Sequence, residues 1–98
     1  MTKFGELIGS RIPTLIDFYA DWEGDNTNLH SILRDVAAAL GDKAKVVKID
    51  VSKNETLAAA LRIKGNPTLI IYKNGEMKWR QTGQQDANTL ISLVEQYV

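Results

Sequence analysis

Asp17 stands inside the apolar run Thr14-Leu15-Ile16-Asp17-Phe18-Tyr19-Ala20. A carboxyl group among core-forming residues needs a partner or loses its charge, so Asp17 is the first residue that chemistry would single out. Two further carboxylates, Glu23 and Asp25, lie in the polar break Asp21-Trp22-Glu23-Gly24-Asp25-Asn26. Acid–base catalysis by either would need a constellation of positioned partners, and the sequence offers none beside them. His30 is the single histidine. With no second histidine near it, a surface position is expected rather than a metal ligand, and no metal site or cofactor is called for. There is no cysteine, which excludes disulfides, thiol catalysis, thiolate metal sites and iron–sulfur ligation within these residues.

The elements that must position these groups follow from pattern. Residues 3–10 can form a short helix carrying Phe4, Leu7 and Ile8, and residues 14–20 read as a strand buried on both faces, with Pro13 just before it. Leu29, Ile32, Leu33, Val36, Ala37 and Leu40 recur at helical spacing, with Asp25, Asn26 or Thr27 as cap and Gly41 as stop. A second strand is expected over 46–51 and a helix over 54–63, capped by Asn54 or Ser52 and stopped at Lys64-Gly65. A third strand covers 68–72, and Asn74-Gly75 is a hairpin turn signal before a returning strand over 77–82. Trp79 on that strand is read as cross-strand packing. Asp86 can cap a last helix that turns Leu90, Ile91, Val94 and Tyr97 inward. Helix-linked strands are parallel and the final hairpin antiparallel, so the fold class is α/β, a mixed central sheet with helices on both faces.

Ninety-eight residues with 44% apolar content suit one domain, 1–98. Twelve basic and twelve acidic side chains cancel, which gives no reason to expect nucleic acid or an anionic membrane as partner. Residues 1–8 lack the apolar stretch and cleavage site of a signal peptide, and no apolar run approaches membrane-spanning length, so a cytoplasmic location is expected.

Several motifs, in order and at the right spacing, make the chain resemble the thioredoxin family over nearly its whole length. Leu15 to Trp22 resembles the strand that leads into the family's active site, where Cys-Gly-Pro-Cys follows the tryptophan; Glu23-Gly24-Asp25-Asn26 stands in those places. Val47-Lys48-Ile49-Asp50 resembles the next family strand, Gly65-Asn66-Pro67-Thr68 its cis-proline loop, Lys73-Asn74-Gly75-Glu76 its hairpin, and Gly83 a further glycine near the site. The resemblance implies a thioredoxin fold of about four strands, with the family's N-terminal strand missing and the strand over 46–51 left at an edge.

The lost dithiol excludes dithiol–disulfide exchange, which needs one thiolate to attack sulfur and a second thiol to resolve the mixed disulfide. The resemblance implies that Asp17 and Lys48 form a buried ion pair that serves structure, with Lys48 pointing inward. It also implies that Pro67 is cis and that the loop before it can pair with an extended chain without any thiol. Glu23 and Asp25 at a helix N-terminus suit the dipole there, as simple caps or as part of a retained site. The expected function is therefore a redox-inactive, non-catalytic module that binds a protein or extended peptide. Its surface would be Trp22, Glu23, Gly24, Asp25, Asn26, Gly65, Asn66 and Pro67. The alternatives are an assembly subunit that uses an exposed sheet edge, and an acid–base enzyme of another class.

Overall fold

The computed structural model describes residues 3–20, 27–64 and 67–98. The elements run α1 (Lys3–Ile8), β1 (Thr14–Tyr19), α2 (Thr27–Leu40), β2 (Lys45–Asp50), α3 (Glu55–Ala60), β3 (Thr68–Lys73), β4 (Glu76–Thr82) and α4 (Ala87–Glu95). Short 3-10 turns over Gly41–Lys43 and Val51–Lys53 follow α2 and β2. The four described strands form one sheet in the order β2-β1-β3-β4. The β1–β2 pair is parallel and the β3–β4 hairpin antiparallel, as expected. The β1–β3 pair is antiparallel, so β2 and β3 run in opposite directions although α3 joins them, which corrects the expectation that every helix-linked pair is parallel. The six residues of α3 rise only about 9 Å, too little to carry the chain back along a strand of about 20 Å. No strand precedes α1 among the described residues, and β2 is an edge strand.

Alternation along β1 and β3 divides the core between the two faces of the sheet. Leu15, Leu69 and Ile71 meet Leu33, Val36 and Leu40 of α2 and Leu90 and Val94 of α4. Ile16, Phe18, Ile70 and Tyr72 meet Phe4, Leu7 and Ile8 of α1 and Leu57 and Ala58 of α3. Phe4 stands edge-on to Tyr72, with ring centroids 5.6 Å apart. The hairpin has Asn74 at φ 54° and Gly75 at φ 82°, as a type I′ turn needs. Its amides are tied to the end of the α1 segment, Gly75 N–H to Ile8 O and Asn74 N–H to Ser10 O, both at 2.9 Å. Trp79 faces Ile71 across the sheet and packs against the α2–α4 core.

Most element boundaries differ from expectation by one or two residues, and two of the differences have a visible cause. The second strand ends at Asp50 rather than Val51, because the Asp50 carboxylate accepts the Ser52 N–H at 2.9 Å and turns the chain. The third helix covers six residues, not ten. Arg62 leaves the helix at φ 55°, with Arg62 N–H bonded to Ala59 O and Ile63 N–H to Ala58 O, which is a Schellman ending without glycine. The Arg80 guanidinium on β4 donates to the carbonyls of Leu61 at 2.6 Å and Arg62 at 2.9 Å, satisfying acceptors that the shortened helix exposes.

Candidate functional site

The described elements converge at one end of the sheet. Tyr19 closes β1, Thr68 opens β3, and Phe18 lies opposite Thr68 in the antiparallel register. The fourteen-residue helix α2 begins at Thr27, so its unpaired N–H groups and positive dipole end lie where the chain returns from β1. Pro67, half-buried, immediately precedes β3 and accepts the Gly83 N–H on its carbonyl at 2.8 Å. Gly83 has φ 105°, which a residue with a Cβ rarely adopts. That backbone bond fixes Pro67 at the point where β3 and β4 end together, since Thr68 pairs with Thr82. Trp22, Glu23, Gly24, Asp25, Asn26, Gly65 and Asn66, the other residues expected at the site, lie outside the described residues.

Asp17 is buried as expected, with 0% of its surface exposed. Neither carboxyl oxygen has a hydrogen-bond partner among the described residues. Burial pushes its pKa up to about 7, against a smaller lowering by the Lys48 charge. Lys48 is level with Asp17 in the parallel register, but the two do not form the expected buried ion pair. Lys48 is exposed, and its Nζ donates to His30 Nδ1 at 2.6 Å. The physical reason is the edge position of β2. A lysine there can carry its stem past the rim of the sheet and keep the ammonium hydrated, whereas contact with Asp17 would require burying it.

His30 is therefore not the isolated surface residue that its sequence position suggests. It holds Lys48 and also stands edge-on to Tyr19, with ring centroids 5.4 Å apart. Sequence reasoning missed this link because it joins residues eighteen apart on a helix and an edge strand. Among the described residues no group of three or more histidine, aspartate or glutamate side chains could hold a metal ion. No described helix is long and apolar enough to cross a membrane.

Comparison with known proteins places this architecture. The thioredoxin family model matches residues 1–96, and the chain belongs to the thioredoxin family. It is 43% identical over 95 residues to thioredoxin Y, chloroplastic, of rice (Oryza sativa subsp. japonica), covering 96% of this chain and 56% of that one. It thus spans little more than half the length of the rice protein. A thioredoxin-like protein of Synechocystis is 38% identical over 97 residues, covering 98% of this chain and 92% of its own. Among solved structures, a mutant thioredoxin from Halobacterium salinarum superposes with a TM-score of 0.84 at 35% identity, covering 99% of this chain and 84% of that chain. The fold is the thioredoxin fold, and these 98 residues hold no cysteine with which to perform thiol exchange.

Proposed function

We propose that this domain is a redox-inactive thioredoxin that binds an extended protein segment and performs no chemistry on it. One observation carries the reading. A chain of this family without a single cysteine still fixes Pro67 at the head of β3 through the Gly83 bond, at the sheet end where β1 closes and α2 opens. Backbone pairing beside such a proline needs no sulfur. In this reading the surface is Trp22, Glu23, Gly24, Asp25, Asn26, Gly65, Asn66 and Pro67, Pro67 is cis, and the two carboxylates select a ligand of basic character. No cofactor, metal, nucleic acid or membrane takes part, and the cytoplasm is its compartment.

Titration of the isotope-labelled chain with a short extended peptide rich in lysine and valine, followed by NMR, tests the reading. Saturable shifts at Thr68 and Gly83 are expected, with at least tenfold weaker binding after the double change Glu23→Lys and Asp25→Lys. Shifts confined to other surfaces, or equal binding by the charge-reversed variant, would overturn it.

A further inference from the structure

The geometry points to a second recognition surface, of opposite charge preference, at the other side of the sheet. We propose that an acidic extended segment of a partner protein adds to the outer edge of β2 and seats a carboxylate in the cleft formed by His30, Arg34 and Lys48.

The edge itself is the first observation. β2 ends the sheet, with β1 on one side only. Lys45 N–H turns inward, to Pro13 O at 2.9 Å. By alternation the amides and carbonyls of Val46 and Lys48 face outward, and no described backbone group pairs with them. The opposite edge is poorly suited to pairing. β4 is interrupted by an irregularity that leaves Lys78 without a partner in the register, and the strand carries the charged residues Glu76, Lys78 and Arg80.

The second observation is the cleft beside that edge, about 230 Å³, lined by His30, Leu33, Arg34 and Ala37 of α2 and Val46 and Lys48 of β2. Its lining holds the basic side chains of Arg34 and Lys48 and no carboxylate. Lys48 donates to His30 Nδ1, and an imidazole that accepts there offers Nε2–H as a further donor. Arg34 follows His30 by one helical turn and so shares its face of α2. Val46 and Lys48 present the free backbone groups and also line the cleft. A strand paired there carries every second side chain over the same face, so an acidic residue at one position reaches the three donors.

The same geometry argues against a second copy as occupant. A two-fold axis normal to the sheet keeps each face on its own side. Antiparallel registers that pair Lys48 with Lys48 or with Val46 of the second copy then bring the two Lys48 side chains together or onto a diagonal. The lysines that would oppose self-pairing favour an acidic strand.

The experiment titrates the labelled 98-residue chain with acetyl-Val-Glu-Val-Glu-Val-amide and with its lysine counterpart. The acidic peptide is expected to move the Val46 and Lys48 amides and the His30 ring protons. It should slow exchange of those two amides at least tenfold at saturation, and bind at least tenfold more tightly than the basic one. Arg34→Glu with Lys48→Glu should invert that order. Both sites are exposed, and near-ultraviolet circular dichroism checks that the variant is folded; Lys48→Gln alone should abolish the preference. Four outcomes would overturn the proposal: equal binding of the two peptides, shifts only at Thr68 and Gly83, edge protection that grows with chain concentration alone, or inorganic phosphate reproducing the whole response. The basic-peptide titration above reads the Pro67 end of the sheet, so either surface can fail without the other.

Discussion

Asp17 carries two buried oxygens with no hydrogen bond among the described residues, and its attraction to Lys48 acts at a distance. Its folded pKa of about 7 lies above the ordinary value of 3.8, so the folded state holds the proton more tightly than the unfolded chain. Stability is then full below about pH 4, falls as pH rises toward about 7, and is flat above that. Asp17→Asn removes the ionisation and should stabilise the fold by roughly 1–3 kcal/mol near neutral pH, the gain reduced by the amide's own unmet hydrogen bonds. Urea melts across pH 4–8 check this: the variant should lose the slope. A less stable variant would mean that Lys48 outweighs burial. Arg62 offers an independent test. It sits at φ 55°, while Arg80 holds the backbone carbonyl rather than the Arg62 side chain. Arg62→Gly should therefore relieve strain without losing a bond, stabilising by about 0.5–1 kcal/mol. A loss of stability would show that the arginine side chain packs usefully against the end of α3.

At the scale of elements, the parts legible in the sequence were those set by local pattern. Alternation and apolar runs fixed β1 and β3, helical spacing fixed α2 and α4, and Asn74-Gly75 fixed the hairpin. Asp86 caps α4 as its position suggested, accepting the Thr89 N–H at 2.7 Å. What pattern could not give were links between distant segments. The ending of α3 depends on Arg80 from β4, and the position of Lys48 depends on His30 from α2. Nor could periodicity show that Pro67 is held by Gly83; only the family resemblance put the two near each other. That bond yields a prediction for the β3–β4 end. A Cβ built on Gly83 meets nothing within 4 Å, so Gly83→Ala should cost about 1–3 kcal/mol through its φ of 105° alone. Denaturant melts would measure that cost. Faster exchange at the Gly83 position, with β1 unaffected, would locate it at Pro67; uniform loosening of the sheet would not fit. The edge gives another: in the free monomer, the amides of Val46 and Lys48 should exchange quickly while those of β1 and β3 stay protected. Slow exchange at both would mean that another part of the chain covers β2.

For the molecule as a whole, the question is whether the scaffold is still that of a redox thioredoxin. Asn26 directly precedes Thr27, the first residue of the fourteen-residue helix α2, and Glu23 stands three residues earlier. Both lie outside the described residues, and their correspondence to the family's two cysteines rests on the resemblance. If that correspondence holds, two cysteines there fall within the roughly 4.4–6.8 Å Cα separation a disulfide needs. The start of α2 should also draw the first thiol's pKa below about 8.5, with Asp21 and Asp25 working against it. The double change Glu23→Cys with Asn26→Cys is therefore expected to form an intramolecular disulfide and to gain weak insulin-reducing activity. Adding Asp25→Pro removes one opposing charge and should raise that activity. Alkylation rates against pH give the thiol pKa, and mass spectrometry gives the pairing. Thiols that titrate like free cysteine and never pair in a folded chain would place Glu23-Gly24-Asp25-Asn26 away from the family's reactive position. The proposed surface around Pro67 would fall with it, while the acidic-strand site on β2, built from described residues alone, would stand.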